Sequence, residues 1–355
     1  MMTKEKKISV LVVEDSQSAS DLMCWIIGQD EAMAVAGVAR NGQEAVEMTC
    51  RLRPDVVTMD VVMPVMDGLE ATRQIMKRSP TPIVIVSAIY DAKNSVQNFE
   101  ALCAGALVLL HKPVLAGEAT GDWRRLLATL KVMSRVDISR HAAPATHALM
   151  PPAVIAPQVE ARKTAVGRAV VVGASTGGPR VLATLLGALP ANFPVPILVV
   201  QHIAPGFLTG MVEWLGGISM LRVKVAEQGE TCRPGVVYFA PDGTHMGVSR
   251  DLAISLLSAP PIYGACPRIG HLFESAARNL GRQCVGVLLS GMGEDGAKEL
   301  GLIRTAGGLT IVESPESAVM PGTPQAAVNQ GAASQTLPIQ SIAECLVKSA
   351  VGGQA

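Results

Sequence analysis

The run Val170-Val-Val-Gly-Ala-Ser-Thr-Gly-Gly-Pro179 places a serine where a hydroxyl can become a nucleophile. An apolar stretch leads into a Gly-rich turn, and Gly173-Ala-Ser175-Thr-Gly177 has the G-x-S-x-G spacing of a nucleophile elbow. Glycines permit a sharp turn, and such a turn holds the serine at a strand end among backbone N–H groups that can stabilise an oxyanion. The same loop fits two other uses. It can cradle a phosphate at a helix N-terminus, although it is neither G-x-G-x-x-G nor a Gly-Lys-Ser/Thr loop. It can also be an ordinary strand-to-helix turn.

A serine nucleophile needs a base, and the base needs an orienting acid. His202, His245 and His271 follow Ser175 in the chain. His202 comes directly after an apolar run and Gln201, so it is expected at the same sheet edge as the serine. His245 follows Ala-Pro-Asp-Gly-Thr, a turn context that suits a structural role. His271 sits at the start of a helical pattern. Among the acids, Asp295 follows the apolar run Val285–Leu289 and the Gly-rich turn Ser290-Gly-Met-Gly-Glu-Asp-Gly296. Glu294 competes with it, but the glycine that follows favours Asp295 in a tight turn. The order serine, acid, histidine would instead pair His271 with Asp242 or Asp251. Neither acid follows a clear strand end, so the reading is Ser175, His202 and Asp295.

A second constellation lies near the N-terminus. Glu14 and Asp15, Asp60, Ser87 and Lys112 each stand at the end of an apolar run. Ligands of open parallel sheets bind beyond the carboxyl ends of the strands, so these groups are expected to share one crevice. Three carboxylates repel one another unless a cation sits among them, and hard oxygen ligands suit Mg²⁺. A carboxylate beside that ion can accept a phosphoryl group as a nucleophile. Asp60 stands alone and is the expected acceptor. Glu14 and Asp15 are expected to hold metal with it, and Ser87 and Lys112 to contact phosphoryl oxygens.

Two blocks of alternating patterns must position these residues. In the first, Ile8–Val13, Val35–Ala39, Val56–Met59, Ile83–Val86 and Ala106–Leu110 read as strands. Helical patterns start near Ser18, run from an Asn41 cap through Cys50, and close over Asp122–Met133. In the second, Ala169–Val172, Ile197–Val200, Val236–Phe239 and Val285–Leu289 read as strands. Arg180–Leu189, Phe207–Leu215, Leu272–Leu280 and Gly296–Thr305 read as helices. Each block predicts a parallel sheet with helices on both faces. The Ala- and Pro-rich stretch over 134–166 reads as a semi-extended linker. Domains are thus expected over 1–133 and 167–349.

Of 355 residues, 49% are hydrophobic, enough for a core in each block, and 30 basic residues balance 30 acidic ones. Zero net charge gives no reason to expect a nucleic-acid partner. The seven scattered cysteines form no CxxC pair, which argues against a zinc site or a disulfide framework. No apolar run is long enough to span a bilayer, and none follows the basic N-terminus as in a signal peptide. A soluble, cytoplasmic protein is the expectation.

Val12-Val-Glu-Asp-Ser16, Met59-Asp-Val-Val-Met-Pro-Val-Met-Asp-Gly68 and His111-Lys-Pro113 resemble the response-regulator receiver domain. That resemblance implies phosphorylation of Asp60 by a CheA-type histidine kinase. Receivers usually carry an aromatic switch residue three positions before the lysine, where this chain has Leu109. The serine loop, Val200-Gln-His202, Pro234-Gly-Val-Val-Tyr-Phe-Ala-Pro241 and Ser290-Gly-Met-Gly-Glu-Asp-Gly-Ala297 together resemble the catalytic domain of the CheB protein-glutamate methylesterase family. The resemblance covers nearly the whole chain. It implies an α/β fold of two doubly wound parallel-sheet domains, a flavodoxin-like receiver and a Rossmann-like esterase domain. It implies hydrolysis of glutamyl methyl esters on methyl-accepting chemoreceptors, with deamidation of receptor glutamines, by Ser175, His202 and Asp295 without a cofactor. Thr176 and Met292 then fall in the oxyanion region. Two segments depart from the pattern. Pro267-Arg-Ile-Gly270 stands where Pro-Ser-Val-Asp is commoner, and Met320-Pro-Gly-Thr-Pro-Gln325 replaces the frequent Gly-Met-Pro-Arg. These departures leave an alternative: a receiver-controlled binding module of a non-flagellar chemosensory pathway with weak or no esterase activity.

Overall fold

A computed structural model describes residues 6–87, 92–113, 120–138, 169–260 and 265–351. The chain divides into two compact units, residues 1–148 and 149–355. The stretch read as a linker lies outside the described residues, apart from 134–138. There, turns close the last helix of the first unit and Ile138 is buried.

The first unit runs β1 (Ile8–Val13), α1 (Gln17–Gly28), β2 (Met33–Ala39), α2 (Gly42–Leu52), β3 (Val56–Met59), α3 (Gly68–Arg78), β4 (Ile83–Ser87), α4 (Ala92–Cys103), β5 (Val108–His111) and α5 (Thr120–Met133). The five strands form one parallel sheet in the order β2-β1-β3-β4-β5. α1 packs on α5, while α2, α3 and α4 pack in series, so the sheet is covered on both faces. Double coverage explains why β3 and β4 are buried at every position and read as unbroken apolar runs. α2 starts where the sequence predicted it: Asn41 Oδ1 accepts the Glu44 N–H at 2.9 Å. The last strand begins later than its apolar run, because pairing with β4 starts at Val108.

The second unit runs β6 (Ala169–Ala174), α6 (Gly178–Gly187), β7 (Ile197–Gln201), α7 (Leu208–Ile218), β8 (Arg222–Val225), β9 (Val236–Phe239), β10 (His245–Val248), β11 (Ile254–Leu257), α8 (Ile269–Leu280), β12 (Cys284–Leu288), α9 (Ala297–Thr305), β13 (Leu309–Glu313), α10 (Gly322–Asn329), β14 (Gln335–Leu337) and α11 (Ile339–Val351). Seven parallel strands form a sheet in the order β14-β13-β12-β6-β7-β9-β8, and β10 with β11 makes a separate antiparallel hairpin. α6 packs with α7 and α11, and α8 with α9, again covering both faces. β6 is central and wholly buried; each of its valines contributes about 1.5–3 kcal/mol by leaving water.

Each sheet reverses its winding once, beside its first strand. The reversal falls between β1 and β3 in the first unit and between β6 and β12 in the second. The strand ends on either side of such a reversal open a crevice. Both constellations of reactive residues lie there.

Candidate functional sites

In the first unit the β1 end delivers Glu14 and Asp15, the β3 end Asp60, the β4 end Ser87 and the β5 end Lys112. Glu14, Asp60 and Ser87 are buried, and Asp15 is exposed. Lys112 Nζ lies 2.8 Å from Glu14 Oε2 and 2.6 Å from Asp60 Oδ2. Asp60 Oδ1 accepts the Val61 N–H at 2.7 Å. Burial raises the Glu14 and Asp60 carboxyls above their ordinary range, and Lys112 opposes that rise. Burial alone would lower Lys112, but Asp60 and Glu14 outweigh it and the ammonium is held above its usual value. Carboxylate oxygens of Glu14, Asp15 and Asp60 come within 4.8 Å of one another. An all-oxygen set with one member open to water fits a hard divalent cation such as Mg²⁺. Leu109, at the position where receivers usually carry an aromatic residue, is buried.

In the second unit Ser175 follows β6 directly and is buried. Its N–H donates to Ser290 O at 3.0 Å, and its carbonyl accepts the Gly178 N–H at 2.8 Å. The turn depends on Gly177, whose φ of +78° disfavours any side chain; an added Cβ would also lie 2.7 Å from Ser290 Oγ. α6 then starts with no side-chain cap but with Pro179 in its first turn, where a missing N–H costs nothing.

Register brings the histidine alongside. Ala174 pairs with Gln201 across β6 and β7, so Ser175 and His202 leave neighbouring parallel strands side by side. The His202 N–H donates to Ala174 O at 2.9 Å. The buried Gln201 side chain locks the two loops together, because its Nε2 donates to the carbonyls of both Ser175 and His202 at 2.8 Å. Sequence reasoning passed over Gln201; an amide at the end of an otherwise apolar buried strand is the signal that marks it.

Asp295 Oδ2 lies 3.1 Å from His202 Nε2. The approach is off the N–H axis and lacks hydrogen-bond geometry. The carboxylate also accepts the Ile269 N–H at 2.7 Å and the Gly270 N–H at 3.0 Å, the first amides of α8. Burial would raise its pKa, but His202 and these amides outweigh burial and hold it below the usual carboxylate value. Its neighbour Glu294 is exposed, as is Met292, while Thr176 is half-buried beside Ser175.

The competing arrangement is not assembled around Ser175. Asp242 accepts the Gly206 N–H at 2.8 Å, and Asp251 is exposed in a turn. His245 is fully buried, its Nδ1 accepting the Arg268 N–H at 3.2 Å, with the His271 ring 5.4 Å away. Further polar groups support the serine turn. Ser290 Oγ donates to Thr176 O at 2.8 Å, and the Ser290 N–H donates to Oε2 of the buried Glu313 at 2.7 Å. Burial pushes the Glu313 carboxyl up to about 7.

The family model for CheB methylesterase matches residues 170–346, and that for the response regulator receiver domain matches residues 10–120. A protein-glutamate methylesterase/protein-glutamine glutaminase 1 of Syntrophus aciditrophicus is 44% identical over 97% of this chain and 98% of its own length. A protein of the same name from Nitrosospira multiformis, without the numeral, is 42% identical over 96% of each chain. The crystal structure of the Thermotoga maritima CheB methylesterase catalytic domain has 38% identity and a TM-score of 0.50, covering 51% of this chain and 98% of that one. A catalytic-domain match, a receiver match and relatives aligned end to end leave one assignment: this chain belongs to the CheB family of receiver-linked protein-glutamate methylesterases.

Proposed function

We propose that the chain hydrolyses glutamyl γ-methyl esters of methyl-accepting chemoreceptors and deamidates receptor glutamines, under control of phosphorylation at Asp60. The observation that carries the catalytic reading is the meeting of two strand ends. Ser175 and His202 leave adjacent strands in register, and the far nitrogen of His202 faces Asp295 at 3.1 Å.

The chemistry follows from that order. The imidazole nitrogen not facing Asp295 takes the Ser175 proton as Oγ bonds to the ester carbonyl carbon. Asp295 orients the ring and stabilises the imidazolium. Backbone N–H groups near Thr176 and Met292 hold the oxyanion; loss of one such donor costs roughly 2.7–4 kcal/mol of barrier. The carbon–methoxy bond breaks, His202 returns the proton, and methanol leaves. Water then attacks the glutamyl-enzyme with His202 again as base, releasing the carboxylate and restoring Ser175. The same cycle on an amide releases ammonia.

In the first unit Asp60 accepts a phosphoryl group from a CheA-type histidine kinase. Glu14, Asp15 and Asp60 would hold Mg²⁺, which when bound offsets the charge of the carboxylates and the phosphoryl group. Lys112 and Ser87 contact phosphoryl oxygens. No described helix is long and apolar enough to cross a membrane. The substrate sites of this reading are on the cytoplasmic helices of receptors.

Ser175→Ala is the direct test. Methanol release from methylated receptor falls to background, whereas Mg²⁺-dependent phosphorylation of Asp60 persists. Retained release would remove Ser175 from the nucleophile role and end this reading.

A further inference from the structure

The segment before α8 puts a cation on the acid of the site. Arg268 Nε lies 3.1 Å from Asp295 Oδ1, on the oxygen that does not face His202. The other end of the same guanidinium donates from Nη2 to Glu299 Oε1 at 2.8 Å. The three side chains are mostly buried, exposed by only 17%, 19% and 12% for Arg268, Asp295 and Glu299. Gly270 makes room for the clamp. A Cβ there would sit 2.8 Å from Glu299 Cδ and 3.0 Å from Arg268 Cζ. Arg268 and Gly270 stand where the commoner pattern has Ser and Asp, and the packing makes them one feature.

We propose that Arg268 is a positioning residue for Asp295, fixing its carboxylate and withdrawing part of that negative charge from the His202 imidazole. The proposal rests on the Ser175–His202–Asp295 reading. A guanidinium on the orienting carboxylate weakens the carboxylate's pull on an imidazolium proton. Loss of the guanidinium strengthens that pull. The charged and titratable groups around His202 come from several elements. Asp295 follows β12, Arg268 immediately precedes α8, His271 lies in the first turn of α8, and Glu299 lies on α9. His245 on β10 holds the Arg268 backbone N–H. Arg268 stands between Asp295 and Glu299, so its loss frees both negative charges at once.

The test is the pH profile of kcat/KM for methanol release, which reports the base in the free enzyme. It is run on the full chain with wild type, R268Q, R268K and S175A. R268Q moves the acidic limb up by roughly 0.5–1 pH unit, a loss of about 3–10-fold at the foot of the limb. R268K keeps the charge and stays near wild type. A limb in R268Q that coincides with wild type overturns the proposal, as does an equal move in R268K. Activity in S175A would instead overturn the catalytic reading, and Arg268 with it. Should R268Q not fold, E299Q carries the test. It removes a negative charge beyond the guanidinium, so the limb moves down; a limb that stays or rises overturns the proposal.

Discussion

The two units use the same device, a crevice where a parallel sheet reverses its winding, yet they manage charge in opposite ways. In the first, buried acids face one another and the long stem of Lys112, with its rotatable bonds, supplies the compensation. In the second, Asp295 is compensated by fixed groups, an imidazole and two helix amides, and a clamped guanidinium lies against its other oxygen. The pKa directions follow. Glu14 and Asp60 are raised by burial that Lys112 only partly offsets, whereas Asp295 is lowered in spite of burial. A pocket that must admit a cation and a phosphoryl group keeps its charges exchangeable. A site that must orient one ring holds its charge rigidly.

Asp295→Asn gives the largest expected effect on this contrast. The amide can keep most of the geometry at the α8 amides but cannot stabilise an imidazolium. The loss in kcat is on the order of 10⁴-fold by analogy with other triads. Phosphorylation of Asp60 is unaffected. A loss of tenfold or less would mean that the guanidinium and amides, and not the carboxylate charge, organise His202.

Glu313 is the exception within the second unit, and it sharpens the rule. It is fully buried beneath the serine turn and accepts the Ser290 N–H; that bond and the charge of Arg180 only partly oppose the effect of burial. Its carboxyl rises from 4.5 to about 7. The folded chain therefore binds a proton that the unfolded chain has already released. The stabilisation is complete below about pH 4.5 and is lost as pH climbs through about 7, about 3 kcal/mol in all. Glu313→Gln retains an oxygen for the Ser290 N–H and never ionises. Thermal melts of the variant lose this fall in stability between pH 5 and 8. An unchanged fall would assign it to other groups.

How much of this was legible follows from where each group sits. Asp60, Lys112, Ser175 and His202 stand at ends of apolar strands, and a one-dimensional pattern finds strand ends. Asp295 was reachable because a glycine-rich turn follows β12. The supporting groups were not legible. Gln201 belongs to a strand that reads as core, and Arg268 precedes a helix that the apolar pattern started only at Leu272. Glu313 closes β13, a short strand behind two glycines that the apolar survey left out, as it did β8, β10, β11 and β14. Such partners are fixed by sheet order and by helices folding back over strand ends, and neither leaves a local periodicity. The Arg268–Gly270 departure was visible as a difference in type. Its reason, a guanidinium that needs the space of a missing Cβ, emerges only when α8 is packed against α9.

The smallest effect returns to the first unit and tests exchangeability directly. Lys112→Met keeps the length of the side chain and removes its charge. Glu14 and Asp60 then lose their cationic partner. Breaking a buried pair costs about 3–5 kcal/mol, and the partial exposure of Lys112 reduces this to about 2 kcal/mol. Both carboxyls are raised in the fold, so the penalty is present at neutral pH and shrinks as acid protonates them. If compensation in this pocket is exchangeable, millimolar Mg²⁺ recovers part of the loss by binding the folded state among the same three carboxylates. Melting temperatures of the variant with and without Mg²⁺ measure this. No recovery would mean that the pocket depends on the lysine itself, and that the two units compensate charge in the same rigid way.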